Sequence, residues 1–223
     1  MRSATLGLAE AYAAAGRFEE ALGLLKPVLP ESREGDGVRE TADRIGLQYA
    51  TECLNQAVDA YVAREKPEAY ALLEKGIAVK PDLGLLHYTR GFLLYQDGRL
   101  DQAEQSIRTS LEYAPGLWLA LRLLGDLEFA RGAFRRAIQR YKAALAVFEK
   151  DPALYNDLGI AHMQLEEYGE AIRCLKKAVA LDPSNDNYQY SLASLYRDHR
   201  DLNGAHPAAM LPYVVLLALP ALA

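Results

Sequence analysis

Apolar residues recur along most of the chain three and four positions apart, in stretches of about a dozen residues divided by short polar breaks. Between Trp118 and Val147, for example, Leu121 and Leu124 precede a break at Gly132, and Phe134, Ile138, Tyr141 and Leu145 follow it. This is helical periodicity with one apolar stripe per segment, and each stripe must find a partner. Gly16, Gly98 and Gly132 break the chain between paired segments, and Pro81, Pro115 and Pro183 end the second segment of a pair. Ala and Leu are abundant and β-branched residues are sparse, which favours helix over strand. The pattern predicts an all-α chain of helical hairpins.

The hairpins repeat. In blocks of 34 residues starting at Ala50, Gly84, Trp118 and Pro152, the eighth position reads Ala57, Gly91, Gly125 and Gly159. The twentieth reads Ala69, Ala103, Ala137 and Ala171, and the twenty-eighth Ile77, Leu111, Leu145 and Val179. Small residues at positions 8 and 20 let the two helices of one block, A and B, approach closely. An earlier block begins near Arg2, with Ala9, Tyr12, Gly16, Phe18 and Ala21 in register. A partial one begins at Asp186. The interval from Arg2 to Ala50 exceeds one period, and the surplus, residues 36–49, reads as an N-terminal extension of the next helix after the Gly35-Asp36-Gly37 break. Where the second block lacks a turn glycine it offers Lys66-Pro67, which suits the opening of helix B.

A fixed period carrying several position classes is the signature of a solenoid. The stretches "WLALRLLGDLEFARGAFRRAIQRYKAALAV" and "ALYNDLGIAHMQLEEYGEAIRCLKKAVALDPSN" carry it best, and they resemble tetratricopeptide repeats. The resemblance implies a right-handed α-α superhelix of five to six repeats at about 2–35, 50–83, 84–117, 118–151, 152–185 and, in part, 186–205. Together these give a solenoid over 1–205, followed by an apolar segment, 206–223.

Composition then narrows the chemistry. The net charge is −5, with no lysine or arginine cluster, so nucleic acid is not an expected partner. Cys53 and Cys174 have neither metal-ligand spacing nor a disulfide framework, which suits a reducing compartment and a cytoplasmic location. The N-terminus shows no signal-peptide pattern. No phosphate loop, nucleophile elbow or His-Glu-x-x-His pair is present, so no enzyme activity and no cofactor are expected. His87 and His162 fall in A helices of different blocks and read as packed or groove-lining residues. His199 and His206 lack further ligands for a metal.

In the family, positions 2, 5, 9, 12 and 13 of the A helices line a concave groove. Carried over, the resemblance implies a partner-binding set of Leu54, Val58 and Tyr61, then Tyr88, Phe92 and Tyr95, then Arg122, Asp126 and Phe129, then Asn156, Ile160 and Met163. Position 12 is aromatic three times running, at Tyr61, Tyr95 and Phe129, and such a row is either inter-helix core or a set of anchors for a bound peptide. The Lys, Asn and Arg set with which some members clamp a carboxylate tail is absent; position 6, one of its places, reads Asn55, Thr89, Leu123 and Asp157. An apolar or amphipathic protein segment is the expected ligand.

Residues 208–223, "AAMLPYVVLLALPALA", carry no charge. As one helix they would span about 24 Å, short of the roughly 20 residues that cross a bilayer, and Pro212 and Pro220 interrupt them. Three roles stay open: a cap docked on the last repeat, with Leu211, Val214, Val215 and Leu217 against Leu192, Leu195 or Tyr196; a membrane contact; or insertion into another molecule's groove. The expected function is a protein-binding scaffold or adaptor. Its alternatives are an accessory subunit of a membrane-associated assembly anchored by the tail, and the regulatory repeat domain of an enzyme whose catalytic part lies elsewhere.

Overall fold

The computed structural model describes residues 2–30, 32 and 37–198. Among them every regular element is an α-helix: α1 (Arg2–Ala14), α2 (Phe18–Leu25), α3 (Val38–Val62), α4 (Lys66–Val79), α5 (Gly84–Gln96), α6 (Leu100–Tyr113), α7 (Trp118–Ala130), α8 (Phe134–Val147), α9 (Pro152–Met163), α10 (Tyr168–Leu181) and α11 (Asp186–Asp198). Odd helices are A helices and even ones B helices. The chain divides into two compact units, the first ending at Pro115 and the second beginning at Gly116.

Within each hairpin the turn is the same, and its cause is local. The residue at position 15 takes a left-handed backbone: Gly16, Gly98 and Gly132 have φ of 75°, 74° and 74°. The next residue donates its N–H to the carbonyl five positions back, as Arg17 does to Tyr12 at 2.9 Å, Arg99 to Leu94 at 2.9 Å and Ala133 to Glu128 at 2.9 Å. That bond satisfies a carbonyl the ending helix would otherwise leave orphaned. Two hairpins make the turn without glycine. Arg64 (φ 66°) and Glu166 (φ 58°) hold the left-handed position, with Glu65 N–H bonded to Ala60 and Glu167 N–H to His162. The second hairpin therefore turns at Arg64, and Pro67 opens α4.

Close packing follows from position 8. A Cβ on Gly91 would lie 2.7 Å from Ile107, one on Gly125 2.5 Å from the Tyr141 ring, and one on Gly159 2.8 Å from Leu175. All three neighbours occupy position 24, one turn beyond the alanine that the sequence offers as the facing residue. The alanine contributes through its backbone: the carbonyls of Ala103 and Ala171 lie 3.2 and 3.3 Å from the same Cβ positions of Gly91 and Gly159. In the hairpin before them, position 8 is the buried Ala57 and position 24 the buried Leu73.

The first unit has a core at each of its first two hairpins. Ala9, Ala13, Ala21 and Leu25 meet Val38 and Ile45, so the added turns of the 25-residue α3 cover the first hairpin. Ala50, Ala57, Ala69, Leu73, Leu86 and Leu93 form the second core. In the second unit, Ala137, Ile138 and Tyr141 pack with Leu154, Leu158 and Ala161, and Leu195 of α11 buries against Ala171 and Leu175. The docking proposed for Leu211, Val214, Val215 and Leu217, and the placement of His199 and His206, lie outside the described residues. No described helix is long and apolar enough to cross a membrane.

Candidate functional site

The A-helix positions assigned to the groove keep their register in both units, yet they carry different chemistry. In the first unit they are apolar and open. Val58 and Phe92, both at position 9, are exposed, as are Leu85 and Val62, the last at 76%. Leu54 and Tyr88, both at position 5, are half-buried, and Tyr88 stacks on Phe92 with centroids 6.3 Å apart. α3 and α5, which present these side chains, are in direct contact.

Tyr61 and Tyr95, at position 12, are half-buried. Tyr61 packs on the second core and donates its hydroxyl to Asp97 at 2.9 Å. Asp97 also accepts from Tyr70 at 2.9 Å and from Lys66 Nζ at 2.5 Å. Its carboxyl is held below its ordinary range, first by the Lys66 bond and then by the two tyrosine hydroxyls. This four-residue clip ties the α3–α4 turn to the end of α5, so the Tyr61 ring is committed to packing at one end and to the clip at the other.

In the second unit positions 5 and 9 of α7 and position 5 of α9 are polar, while Phe129, Ile160 and Met163 are apolar, and all six are partly enclosed. Arg122 (position 5 of α7) directs Nε and an Nη nitrogen to Asp157 Oδ2 on α9, both at 2.8 Å. Asp126 (position 9 of α7) accepts the hydroxyl of Tyr141 from α8 at 2.8 Å. Burial and the nearby Asp157 push the Asp126 carboxyl up to about 6, against the lowering effect of Tyr141 and Arg122. Burial likewise raises Asp157 despite its arginine. Asn156 and Ile160 are half-buried beside this network, and Asn156 Oδ1 is enclosed without a donor. Met163 packs on the last core, while Phe129 packs on the preceding one and meets Phe134 edge-on at 5.2 Å.

Each ring of the position-12 row is thus half-buried, and Tyr61 and Phe129 are in contact with core. Sequence reasoning placed Arg122, Asp126 and Asn156 on the face but missed what links them. Asp157 and Tyr141 supply the link, and Asp97 organises the first unit. An Arg and an Asp at positions 5 and 6 of successive repeats were the available signal. The two A-helix histidines are packed: His87 meets the Pro81 carbonyl at 2.8 Å and stacks on Tyr113, and His162 Nδ1 meets Glu167 at 2.5 Å. Cys53 and Cys174 are buried free thiols.

A two-helix unit repeated along the chain, with an open face on its A helices, defines a helical-repeat protein of the superhelical class. Family models described as "Tetratricopeptide repeat" match residues 4–40, 88–154 and 128–195, and the chain belongs to the tetratricopeptide-repeat family. The chain is 30% identical over 117 residues to anaphase-promoting complex subunit 6 of Arabidopsis thaliana, covering 52% of this chain and 21% of that protein. It therefore spans about a fifth of that relative's length. Among solved structures, MamA 41-end from Desulfovibrio magneticus RS-1 shares the fold with a TM-score of 0.64 at 22% identity, covering 76% of this chain and 93% of that one. The first tetratricopeptide domain of Spaghetti (RPAP3), bound to an HSP90 peptide, aligns with a TM-score of 0.51 at 18% identity, covering 53% and 94%.

Proposed function

We propose that this chain is a protein-interaction scaffold, not an enzyme, and that the A-helix face of its first unit holds an apolar or amphipathic segment of a partner protein. The observation that carries this reading is the open apolar surface on two adjacent A helices: Val58 and Val62 on α3, Leu85 and Phe92 on α5. Large side chains on the hairpin interiors are buried, so these four are not surplus core. An amphipathic helix or extended strand laid across such a face would gain affinity by burying them, with the Tyr88–Phe92 pair as its anchor. Relatives lend support: subunit 6 is named as part of a multi-subunit complex, and the Spaghetti domain is described with a bound peptide. The tail-clamp residues are missing here, which turns the expected ligand from a carboxylate terminus to an apolar segment.

The test is selection of peptides from a random displayed library on the full chain, followed by affinity measurement on the enriched sequences. Enrichment of apolar or amphipathic peptides is expected, with Val58→Asp and Phe92→Asp each weakening binding about tenfold or more at unchanged melting temperature. Peptides that bind these variants and the parent equally would place the site elsewhere, and an empty selection would remove the reading.

A further inference from the structure

The polar network of the second unit has a charge imbalance that its geometry does not correct. Two carboxylates, Asp126 and Asp157, face one guanidinium. Arg122 spends both contacting nitrogens on Asp157 Oδ2. Asp126 is left with the Tyr141 hydroxyl, whose ring lies against Gly125 so closely that a Cβ there would sit 2.5 Å away. The neighbouring ionisable groups do not restore the balance. On α7 there is Arg122, on α8 Tyr141, on α9 Asp157, and at the N-cap of α9 the buried Asp151. Asp151 is already engaged, accepting from the backbone N–H of Ala153 and Leu154 at the start of α9. On α11, Tyr188 senses Asp151, Asp157 and Arg122 without contributing a cation.

We propose that Asp126 is the proton-operated member of a brace joining α7, α8 and α9, and that taking up a proton there tightens this part of the second unit. A neutral Asp126 keeps an oxygen for the Tyr141 hydroxyl and no longer repels Asp157, so Arg122 and Asp157 pair without a competing charge. The same proton removes one negative charge from the A-helix face of this unit. The brace is independent of whether a partner docks on either unit.

The sign follows from linkage. Asp126 titrates at about 6 in the folded chain, above the 3.8 of an unperturbed aspartate. Its contribution is therefore fully present below the unfolded value and is lost as pH rises through about 6. From about pH 7.5 down to about pH 5 the opening equilibrium of α7–α9 should fall roughly tenfold.

Hydrogen exchange read by mass spectrometry on the intact chain, corrected for the chemical exchange rate at each pH, measures this directly. Peptides from α7–α9 are expected to gain roughly tenfold protection over that range, while those from α3–α5 stay flat. Asp126→Asn, which keeps the acceptor and removes the titration, should cut the gradient to what Asp157, also raised by burial, contributes. Tyr141→Phe removes a bond that favours the charged form, so the midpoint should move to higher pH, a shift that loss of packing alone does not produce. Protection in α7–α9 that falls on acidification would overturn the proposal. So would a gradient that Asp126→Asn leaves undiminished, or a midpoint that Tyr141→Phe leaves in place.

Discussion

At several matching places in their repeats, the two units carry different chemistry. Position 9 is Val58 and Phe92 in the first unit and Asp126 and Ile160 in the second. Position 5 is Leu54 and Tyr88 in the first, and Arg122 and Asn156 in the second. The backbone of the hairpins is the same in both, down to the left-handed residue at position 15. The repeat thus fixes which positions look outward and leaves their chemistry free. In the first unit the outward side chains stay open and the polar bonds retreat to the turn, around Asp97. In the second the polar bonds occupy the face itself and tie three helices together.

The sharpest way to break the common backbone is at position 8. Gly125→Leu would drive a side chain into Tyr141 and should cost about 3 kcal/mol in denaturant unfolding, because the core there has no slack. Ala57→Gly at the same position of the first unit should cost only about 1 kcal/mol, through helix propensity. Equal losses at the two sites would mean that position 8 is not a packing position in both units.

Next in size is the clip of the first unit. Asp97→Ala removes the acceptor of three bonds and should cost about 2 kcal/mol at neutral pH. The Asp97 carboxyl is depressed in the folded chain, so its stabilisation is present above the unfolded value and lost as pH falls through the folded one. Melting curves of parent and variant should therefore converge only in strong acid. Asp126 behaves oppositely, its contribution growing on acidification. A pH series that moves both units in one direction would erase the contrast.

Smaller again, and opposite in sign, are the two turns built without glycine. Arg64→Gly and Glu166→Gly should each stabilise by up to about 1 kcal/mol, since a side chain at positive φ carries strain that glycine does not. A raised melting temperature is the readout, and Gly98→Ala should lower it. The smallest effect is expected on the open face: Phe92→Ser and Val62→Ser should change stability by no more than about 0.5 kcal/mol. A larger loss would make those side chains part of a core and weaken the contrast between the units.

The sequence alone determined the period, the helix pairs and, where a glycine marks it, the place where a pair turns; the turns at Arg64 and Glu166 carry no such mark. These depend on interactions within a few residues: a glycine that accepts a left-handed backbone, a proline that ends a helix, apolar side chains three and four apart. The extension of α3 was legible for the same reason, since Val38, Ile45 and Tyr49 continue the helical spacing past the Gly37 break. Tertiary structure alone decided which residue meets which. Position 8 faces position 24, not the equally regular alanine at position 20, because helix crossing sets where the two backbones come closest. Likewise, the pairing of Arg122 with Asp157, 35 residues away, depends on α7 and α9 being brought side by side, and the raised Asp126 carboxyl depends on burial. A sequence lists these charges, but only the fold takes them out of water, and that step determines which of them stays paired and which one is pushed toward its neutral form.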